Sequence, residues 1–210
     1  MKLIFFIFCL LPGMTAGAQS ATEKAISSAV KASYYSIGQC NFAINDLRGG
    51  AFDTDNKSNP PAGGYTGLLA IDNPTFSMFC YVGASDDEIS SQLEAKKLDG
   101  KWVWLGTGEP FEPEQHFKTY SFSGKNWRGR GNTYDDTTGD ASMRQRRFNF
   151  CLVQTDGPQV LCVNTPVMAL DSPKSNVLPK ITAVLKSIEF VSQPTPASAG
   201  TAGSAASLNQ

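Results

Sequence analysis

One stretch of the chain, RRFNFCLVQTDGPQVLCVNTPV at residues 146–167, has two apolar segments on either side of the turn-forming residues TDGP. Pro158 has no N–H and cannot close a two-residue turn in the usual way, so a four-residue loop should pair Gln154 with Gln159. Counting outward from that pair sets Cys151 opposite Cys162. The stretch therefore predicts an antiparallel hairpin of residues 146–153 and 160–167 with a defined register.

The side chains of the two strands alternate in a way that supports this register. One face would carry large apolar residues from both strands, and the other would carry the two cysteines among smaller and polar residues. The first set is Phe148, Phe150, Leu152, Leu161 and Val163; the second is Asn149, Cys151, Val153, Val160, Cys162 and Asn164.

The first residues of the chain have the layout of a secretory signal peptide. Lys2 precedes nine apolar residues at 3–11, a Pro-Gly break follows, and Ala16-Gly17-Ala18 matches an A-x-A cleavage site. Nine residues cannot cross a bilayer core, which needs about 20. We predict cleavage after Ala18, no later membrane span, and a periplasmic or secreted protein.

Export changes the interpretation of the cysteines. Removing the signal peptide removes Cys9 and leaves four cysteines, an even number that predicts two disulfides with three possible pairings. The hairpin register favours Cys151–Cys162, which leaves Cys40–Cys80, each worth roughly 3–4 kcal/mol. A zinc site is the alternative, but the chain has no CxxC pair and its one histidine is far from the cysteines in sequence.

Composition limits the classes of protein to which the chain can belong. Its 210 residues carry a net charge of -1, whereas nucleic-acid-binding proteins are usually strongly basic. The hydrophobic fraction of 41% is enough to fill a core. Residues 192–210 carry no charge and one large apolar residue, which is typical of a disordered low-complexity tail. We expect one domain over residues 19–191.

The segments around the hairpin predict helices at both ends of the domain and in its middle. A capping box at Ser20 and an apolar stripe predict a helix over residues 20–37, and Asn176 begins a closing helix that runs to residue 188. A second capping box begins a middle helix at Ser85, with Ile89, Leu93 and Leu98 facing inward and Gly100 ending it. Residues 45–65 are rich in Gly, Pro, Asn and Asp and are expected to form a loop.

Further strands are predicted at residues 75–82, 101–105, 116–123 and 126–134. The expected fold class is α+β: a twisted antiparallel sheet flanked by N-terminal, middle and C-terminal helices and held by two disulfides.

Three of these segments resemble the PsbP-like group of exported α/β domains. They are the apolar strand at residues 75–82, the capped helix at 85–99, and the final LPKITAVLKSIEF segment with its Ser187-Ile188 step. The resemblance covers about residues 40–190. It implies a twisted antiparallel sheet with flanking helices and an adaptor or accessory role, and it transfers no catalytic residue.

Arginine has the most uneven distribution of any residue type. Five of the six arginines lie within residues 128–147, and residues 125–147 carry six positive and three negative charges. Arginine forms forked contacts with carboxylates and phosphates, and arginine with tryptophan is typical of protein interfaces. The alternative is a solvated strand face neutralised by Asp135, Asp136 and Asp140. The candidate binding residues are Arg128, Arg130, Arg144, Arg146, Arg147, Trp127 and Tyr134.

Catalytic, metal and cofactor motifs give weak signals. His116 is the one histidine, it could pair with Glu112 or Glu114, and no Gly-x-Ser-x-Gly motif is present. The acidic stretches at residues 53–58 and 135–140 only partly match calcium-loop patterns. We therefore assign no catalytic residue, metal or cofactor.

The sequence thus leaves three hypotheses of function. The first is a non-enzymatic binding protein of the bacterial-type envelope, by analogy with toxin-immunity proteins and inhibitors, which contacts another protein through its arginines. The second is a carrier or sensor of an amphipathic anionic ligand, with arginines at the head group and Trp102 and Trp104 along the tail. The two tryptophans could instead belong to the core. The third is an unrecognised hydrolase that uses His116 or an Asp/Glu pair.

Overall fold

A computed structural model of the chain describes residues 32–67 and 75–191. The predicted signal peptide at residues 1–18, residues 20–31 of the expected N-terminal helix, and the predicted tail at 192–210 all lie outside the described residues. Over the described ranges, no helix is long and apolar enough to cross a membrane.

The described chain consists mainly of strands. It contains twelve strands and two α-helices, with short 3₁₀ turns at Pro113–Gln115, Ala141–Met143 and Pro173–Ser175. In chain order the elements are β1 (Ser33–Ile37), β2 (Cys40–Ile44), β3 (Ala51–Asp55), β4 (Ala62–Thr66), β5 (Thr75–Val82), α1 (Asp86–Leu93), β6 (Ala95–Leu98), β7 (Lys101–Trp104), β8 (Lys118–Ser123), β9 (Trp127–Asp136), β10 (Gln145–Gln154), β11 (Gln159–Ala169), α2 (Leu178–Lys186) and β12 (Ile188–Phe190).

The strands form three antiparallel sheets. The largest has seven strands in the order β3-β4-β5-β11-β10-β9-β8, a second has the order β1-β2-β12, and β6 and β7 form a two-stranded sheet. The antiparallel prediction is confirmed. The predicted three helices are not, because the described residues contain two, and sheet rather than a balance of helix and sheet dominates the fold.

The central hairpin has the predicted register. β10 pairs with β11 so that Cys151 lies opposite Cys162, and these two residues form a disulfide. The second disulfide joins Cys40 on β2 to Cys80 on β5, so it connects the three-stranded sheet to the seven-stranded sheet. Both predicted disulfide pairings are confirmed.

The main core lies between the seven-stranded sheet on one side and α2 with the three-stranded sheet on the other. Phe148, Phe150 and Leu152 of β10 are fully buried there. Glycines on β9 make room for the large ring of Phe150, because a Cβ atom on Gly129 would lie 2.2 Å from that ring. We call this side of the seven-stranded sheet the core face.

The opposite side of the sheet is covered by α1 and carries a smaller apolar cluster. Ile89 and Leu93 of α1 pack there around the Cys151–Cys162 disulfide and Val160. We call this side the α1 face. The alternation predicted for the hairpin therefore assigns its residues to the two faces correctly.

The N-terminal helix is wrong for residues 33–37, which form β1. Ile37 is buried whereas Tyr34 is 71% exposed, and the burial of β1 alternates as expected for a strand at the edge of a sheet. Gly38 has a φ of +54°, and with Gln39 it forms the two-residue turn that folds β2 back onto β1. Tyr34 and Ile37 would share one face of a helix, but three residues apart they lie on opposite faces of a strand, and only Ile37 is buried.

The predicted loop at residues 45–65 is also wrong in part, because it contains β3 and most of β4. Phe52 and Tyr65 lie directly opposite each other in this hairpin and are both buried. Gly63 is needed for packing rather than for a turn, since a Cβ atom there would lie 2.6 Å from the Phe52 ring. The small residues that suggested a loop instead allow close contact between the strands and the core.

Helix α1 begins as predicted and ends earlier. The Ser85 side chain accepts from the N–H of Glu88, and the Glu88 carboxylate accepts from the N–H of Ser85, which completes the capping box. The helix ends at Leu93 because Glu94 adopts a left-handed conformation and the chain continues into β6. Leu98, expected to face inward, lies in β6 and is 48% exposed.

The closing helix is confirmed as α2, over a shorter range than predicted. Its expected inward residues, Val177, Ile181, Val184, Leu185 and Ile188, are all buried. Pro179 lies in the first turn, where its missing N–H costs no helical hydrogen bond. Ile188 belongs to β12, which pairs with β2 beside α2.

Candidate functional site

The arginines predicted to form one patch are divided between two ends of the sheet. β9 and β10 are neighbours but antiparallel, so Arg130 lies opposite Cys151 while Arg147 lies opposite Tyr134. Four residues of strand separate these positions, a distance of about 13 Å. Arg146 lies on the core face at its edge, and Arg144 precedes β10 and donates from Nε to the Gly139 carbonyl oxygen at 3.2 Å.

Arg128 and Arg130 alone share an open surface. They project from the α1 face of β9 beside a groove of about 540 Å³. The groove is lined by Ala84, Asp86, Ile89, Ser121, Arg128, Gly129, Arg130 and Val153. Its lining therefore combines an apolar strip from α1 and β10 with two guanidinium groups, and we call it the arginine groove.

The two guanidinium groups of the arginine groove have different partners. Arg130 Nη2 lies 2.7 Å from Asp86 Oδ1, and both side chains are strongly exposed. Exposed pairs of this kind contribute little to stability because water screens them. Arg128 forms no ion pair with any described residue. A partner's carboxylate could therefore contact Arg128 directly and compete with Asp86 for Arg130.

Trp127 lies on the core face rather than beside the arginines. It is 1% exposed, and its indole Nε1 donates to the carbonyl oxygen of Ile188 at 2.8 Å. The sequence WRGRG of β9 shows the reason, because alternation directs Trp127 to one face and Arg128 and Arg130 to the other. Trp127 offers no surface to a partner in this fold.

Arg146 is bound within the molecule. Its Nε and Nη2 donate to the two carboxylate oxygens of Asp135 at 2.6 and 2.8 Å, in the forked geometry typical of arginine. Burial alone would raise the pKa of Asp135, but hydrogen bonds from Arg146 and His116 outweigh it and hold that pKa below its usual value. The same hydrogen bonding raises the pKa of Arg146. This arginine is therefore part of the structure and not a free binding group.

His116 pairs with Asp135, not with Glu112 or Glu114. Its Nδ1 lies 2.8 Å from Asp135 Oδ2, and the imidazole is 67% exposed. A catalytic histidine of a hydrolase must also contact a nucleophile. Among the described residues no serine, threonine or cysteine side chain hydrogen-bonds His116. The hydrolase hypothesis gains an orienting carboxylate from the structure but no nucleophile.

A row of three asparagines crosses the α1 face, and the sequence analysis did not identify it as a site. Asn149 of β10 lies between Asn132 of β9 and Asn164 of β11 in the sheet register. Asn132 and Asn149 both donate to the carbonyl oxygen of Leu93, at 2.8 and 3.3 Å. That carbonyl belongs to the last turn of α1 and has no partner within the helix. Asn132 and Asn149 therefore help to cap the C-terminal end of α1.

Glu94 completes this polar layer at the end of α1. Its carboxylate accepts from Tyr134, from Asn149 at 3.3 Å and from Asn164 at 3.4 Å, while Arg147 donates to Asn164 at 2.6 Å. Burial, together with the hydrogen bond and the charge of Glu94, raises the pKa of Tyr134, which stays a neutral donor. Tyr134 and Arg147, predicted as binding residues, are therefore used inside the protein. One signal of this polar layer was present in the sequence, because the predicted hairpin register places Asn149 opposite Asn164.

The two acidic stretches lie in different surroundings. Asp53 and Asp55 lie in β3, and Asp135 is occupied by Arg146 and His116. Within residues 32–67 and 75–191, no three His, Cys, Asp or Glu side chains cluster in a way that could hold a metal ion.

Trp102 and Trp104 belong to a cluster of aromatic residues outside the main core. The ring of Trp104 packs on Phe111 and Tyr134, with centroids 4.3 and 4.7 Å apart, and Trp102 lies 5.7 Å from Phe117. Trp102 remains 37% exposed. These tryptophans do not line the arginine groove. A single ligand with its head group at Arg128 and Arg130 therefore would not have its apolar tail along Trp102 and Trp104.

Comparison with models of protein families, with curated proteins and with solved structures found no match to this chain. The resemblance to PsbP-like domains therefore stays a prediction, and any assignment of function depends on the geometry described above.

Proposed function

We propose that the chain is an exported, non-enzymatic binding protein that contacts an acidic partner protein through the arginine groove. The observation that carries the proposal is the placement of Arg128 and Arg130 side by side, exposed, along an apolar strip that contains Ile89 and Val153. Charged groups around an apolar strip are the usual arrangement of a protein interface. Inhibitors and toxin-immunity proteins are the class of binding protein that we favour.

The other predicted arginines support this choice of surface by their own contacts. Arg146 is occupied by Asp135, and Arg147 donates to Asn164 within the polar layer. Arg144 is also exposed, but it lies at the other end of the sheet and donates to the Gly139 carbonyl oxygen. Arg128 and Arg130 are the two predicted arginines that share one open surface, and their one described ion pair is exposed to water.

The same groove supports a second candidate, a carrier of a small amphipathic anion. Its volume of about 540 Å³ falls within the range of small-molecule sites. An anionic head group would contact the two guanidinium groups, and an apolar tail would lie along Ile89 and Val153 instead of the tryptophans. This candidate predicts binding without any partner protein.

The test is affinity capture with residues 19–210 from envelope and culture fractions, beside a variant carrying Arg128→Glu and Arg130→Glu. The matched control carries Arg144→Glu and Lys174→Glu, which make the same charge change at the opposite end of the sheet. We expect one partner that binds the wild type and the control, is lost with the groove variant, and binds again as a purified protein. The thermal midpoints of all three proteins are measured first.

Equal capture by the groove variant would contradict the proposal. If no protein is captured, calorimetric titration with dodecyl phosphate tests the second candidate. Binding by the wild type and the control, but not by the groove variant, would then favour a small anionic ligand.

A further inference from the structure

The two edge strands of the seven-stranded sheet differ in how they are protected. β3 at one edge contains Asp53 and Asp55 within five residues, and Asn56 just beyond it bonds to the β1–β2 hairpin. Charged residues commonly protect a sheet edge from pairing with another strand. β8 at the other edge has the sequence TYSFS at residues 119–123, which contains no charge, proline or glycine and consists largely of good strand formers. The edge at β8 is therefore unprotected.

The backbone groups that β8 leaves free follow from its turn with β9. The Gly124 N–H donates to the Trp127 carbonyl oxygen at 3.2 Å, and this pair continues the β8–β9 register. Because hydrogen-bonded pairs alternate along an antiparallel ladder, the even-numbered residues of β8 bond to β9. The N–H and C=O groups of Thr119, Ser121 and Ser123 therefore point away from the sheet. They have no partner among the described residues, and all three residues are exposed.

A second, antiparallel copy of β8 centred on Ser121 would satisfy all of these groups. Ser121 would face Ser121 of the other copy, and Thr119 would face Ser123 on either side of it. Each of these pairs exchanges two hydrogen bonds, and no like charges lie directly opposite each other. The arrangement is the same for both copies and uses the unprotected edge of each, so it closes at two.

The side chains of β8 also fit this register. On the core face, Tyr120 would lie opposite Phe122 of the other copy, in the non-hydrogen-bonded pairs where side chains approach most closely. Both rings are half-buried, and they pack on Phe148 and Phe150 respectively. Cross-strand aromatic pairs stabilise a sheet, and here they would continue the aromatic layer of one copy into the other.

We propose that two copies of the chain pair through β8 and form one continuous sheet. A contact of one strand with each copy is small, so the dimer should be of micromolar rather than nanomolar affinity. The α1 faces of both copies lie on the same side of the joined sheet, and the two arginine grooves adjoin because Ser121 lines each of them. Arg130 and its counterpart are three strand spacings apart, about 14 Å, which exceeds the screening length of about 8 Å.

The second copy fits this edge better than the chain's own C-terminal segment does. Residues 192–210 begin with Ser-Gln-Pro-Thr-Pro, and proline has no N–H to donate to a neighbouring strand. The dimer does not depend on the arginine groove, so the two proposals can fail separately.

The first test is sedimentation velocity of the chain lacking residues 1–18 at increasing micromolar concentrations. We expect a monomer that converts to a dimer. Ser121→Pro removes an N–H that does not bond to β9, and it should raise the dissociation constant about 30-fold, on the basis of about fivefold for each of two lost hydrogen bonds. The matched control is Thr54→Pro, at an outward N–H of β3, and it should leave the dissociation constant unchanged. Thermal midpoints confirm that both variants are folded.

The second test is a cross-link that depends on the register. In the proposed dimer the two Ser121 Cα atoms are about 5.5 Å apart, within the range of a disulfide, whereas the two Thr119 Cα atoms are about 14 Å apart. Ser121→Cys should therefore form a covalent dimer on mild oxidation, and Thr119→Cys on the same strand should not. The four other cysteines of this chain are already paired in disulfides.

Salt separates this dimer from a complex at the arginine groove. The exposed side chains of Lys118 and Lys186 lie over the rings of Tyr120 and Phe122, at 5.3 and 5.4 Å from the ring centroids. The charges beside the pairing are thus positive in both copies, so added salt should not weaken the dimer. An acidic partner in the arginine groove should bind less tightly as salt increases.

Several results would overturn the proposal. They are a monomer at all concentrations, equal dissociation constants for Ser121→Pro and the wild type, or equal cross-linking of the two cysteine variants. Dimerisation only after removal of residues 192–210 would mean that the chain's own C-terminal segment occupies the edge. The variant with Arg128→Glu and Arg130→Glu should still dimerise, so loss of the groove's partner and loss of the dimer are distinguishable.

Discussion

The two faces of the central strands bury different chemistry although their residues alternate along the same backbone. On the core face, Phe148, Phe150 and Leu152 belong to one large apolar cluster with residues of α2 and the three-stranded sheet. On the α1 face, the intervening Asn149 and Cys151 meet the end of a short helix, a disulfide and the carboxylate of Glu94. The two large layers are held by extended apolar contact together with the Cys40–Cys80 disulfide. The eight-residue helix α1 is held by a smaller cluster around the other disulfide and by hydrogen bonds to its last carbonyl.

Removing the central ring of the core face should have the largest effect. Phe150 is fully buried and stacks on Phe122 with centroids 3.9 Å apart, so Phe150→Ala should lower the free energy of unfolding by about 4 kcal/mol. Urea unfolding followed by circular dichroism measures it. Phe122→Ala, which removes the partly exposed partner, should cost clearly less. Equal losses would mean that the core face does not depend on burial of Phe150.

Removing each disulfide in turn tests the two faces separately. Cys40–Cys80 joins the two layers of the core, and Cys151–Cys162 packs against α1. Their cysteines are 40 and 11 residues apart in sequence. By loop entropy, the free energy of unfolding should fall by about 4 kcal/mol when Cys40 and Cys80 become Ala, and by about 3 kcal/mol when Cys151 and Cys162 do. Urea unfolding without reductant measures both. Equal thermal midpoints of the wild type with and without reductant would contradict both values.

The asparagine row tests whether the α1 face needs its polar groups. Asn149→Ala leaves the Leu93 carbonyl and the Glu94 carboxylate short of a donor and should cost about 1–3 kcal/mol. Asn164→Ala, at a half-buried position, is the comparison and should cost less. Hydrogen exchange of the α1 amides should accelerate in both variants. A gain in stability for Asn149→Leu would show that the row can be replaced by apolar packing.

The edge of the core face contains an ion pair whose contribution depends on pH. The pKa of Asp135 is lowered in the folded protein, so its stabilisation is complete above the unfolded value of about 4 and is lost as pH falls through the lower folded pKa. Between about pH 5 and pH 2 the wild type should therefore lose more stability than Asp135→Asn. Thermal midpoints across this range measure the difference. Asp140→Asn, in the adjacent loop, should follow the wild type, and parallel profiles for all three proteins would contradict the prediction.

The sequence was most informative where independent constraints agreed. Loop length, alternation and the cysteine positions all required the same register for β10 and β11, and the structure has it. At residues 33–37 the apolar spacing favours a helix, but the two-residue turn at Gly38 and Gln39 folds the segment into a hairpin with β2. At residues 51–66 the small residues predict turns, but Gly63 is small because Phe52 and Ile37 approach it closely.

The candidate site was only partly predictable because it depends on which residues the topology brings together. The arginines lie near the start of β9 and the start of β10, and antiparallel pairing places those two segments at opposite ends of the sheet. Trp127 could have been assigned to the core from the alternation in WRGRG. Glu94 could not have been linked to Tyr134 or to the asparagines, since its position follows from where α1 ends.

The three-stranded sheet limits the order in which the protein can fold. β12 pairs with β2 near the beginning of the described chain, so this sheet needs both ends of the domain. Synthesis delivers β1 and β2 first, and the sheet cannot be completed until β12 has been made. Contacts this distant in sequence form slowly. The β1–β2 pairing is local, whereas the β2–β12 pairing is distant. We therefore expect β12 to be the last protected strand of this sheet in pulsed hydrogen exchange during refolding, with the β10–β11 hairpin protected first.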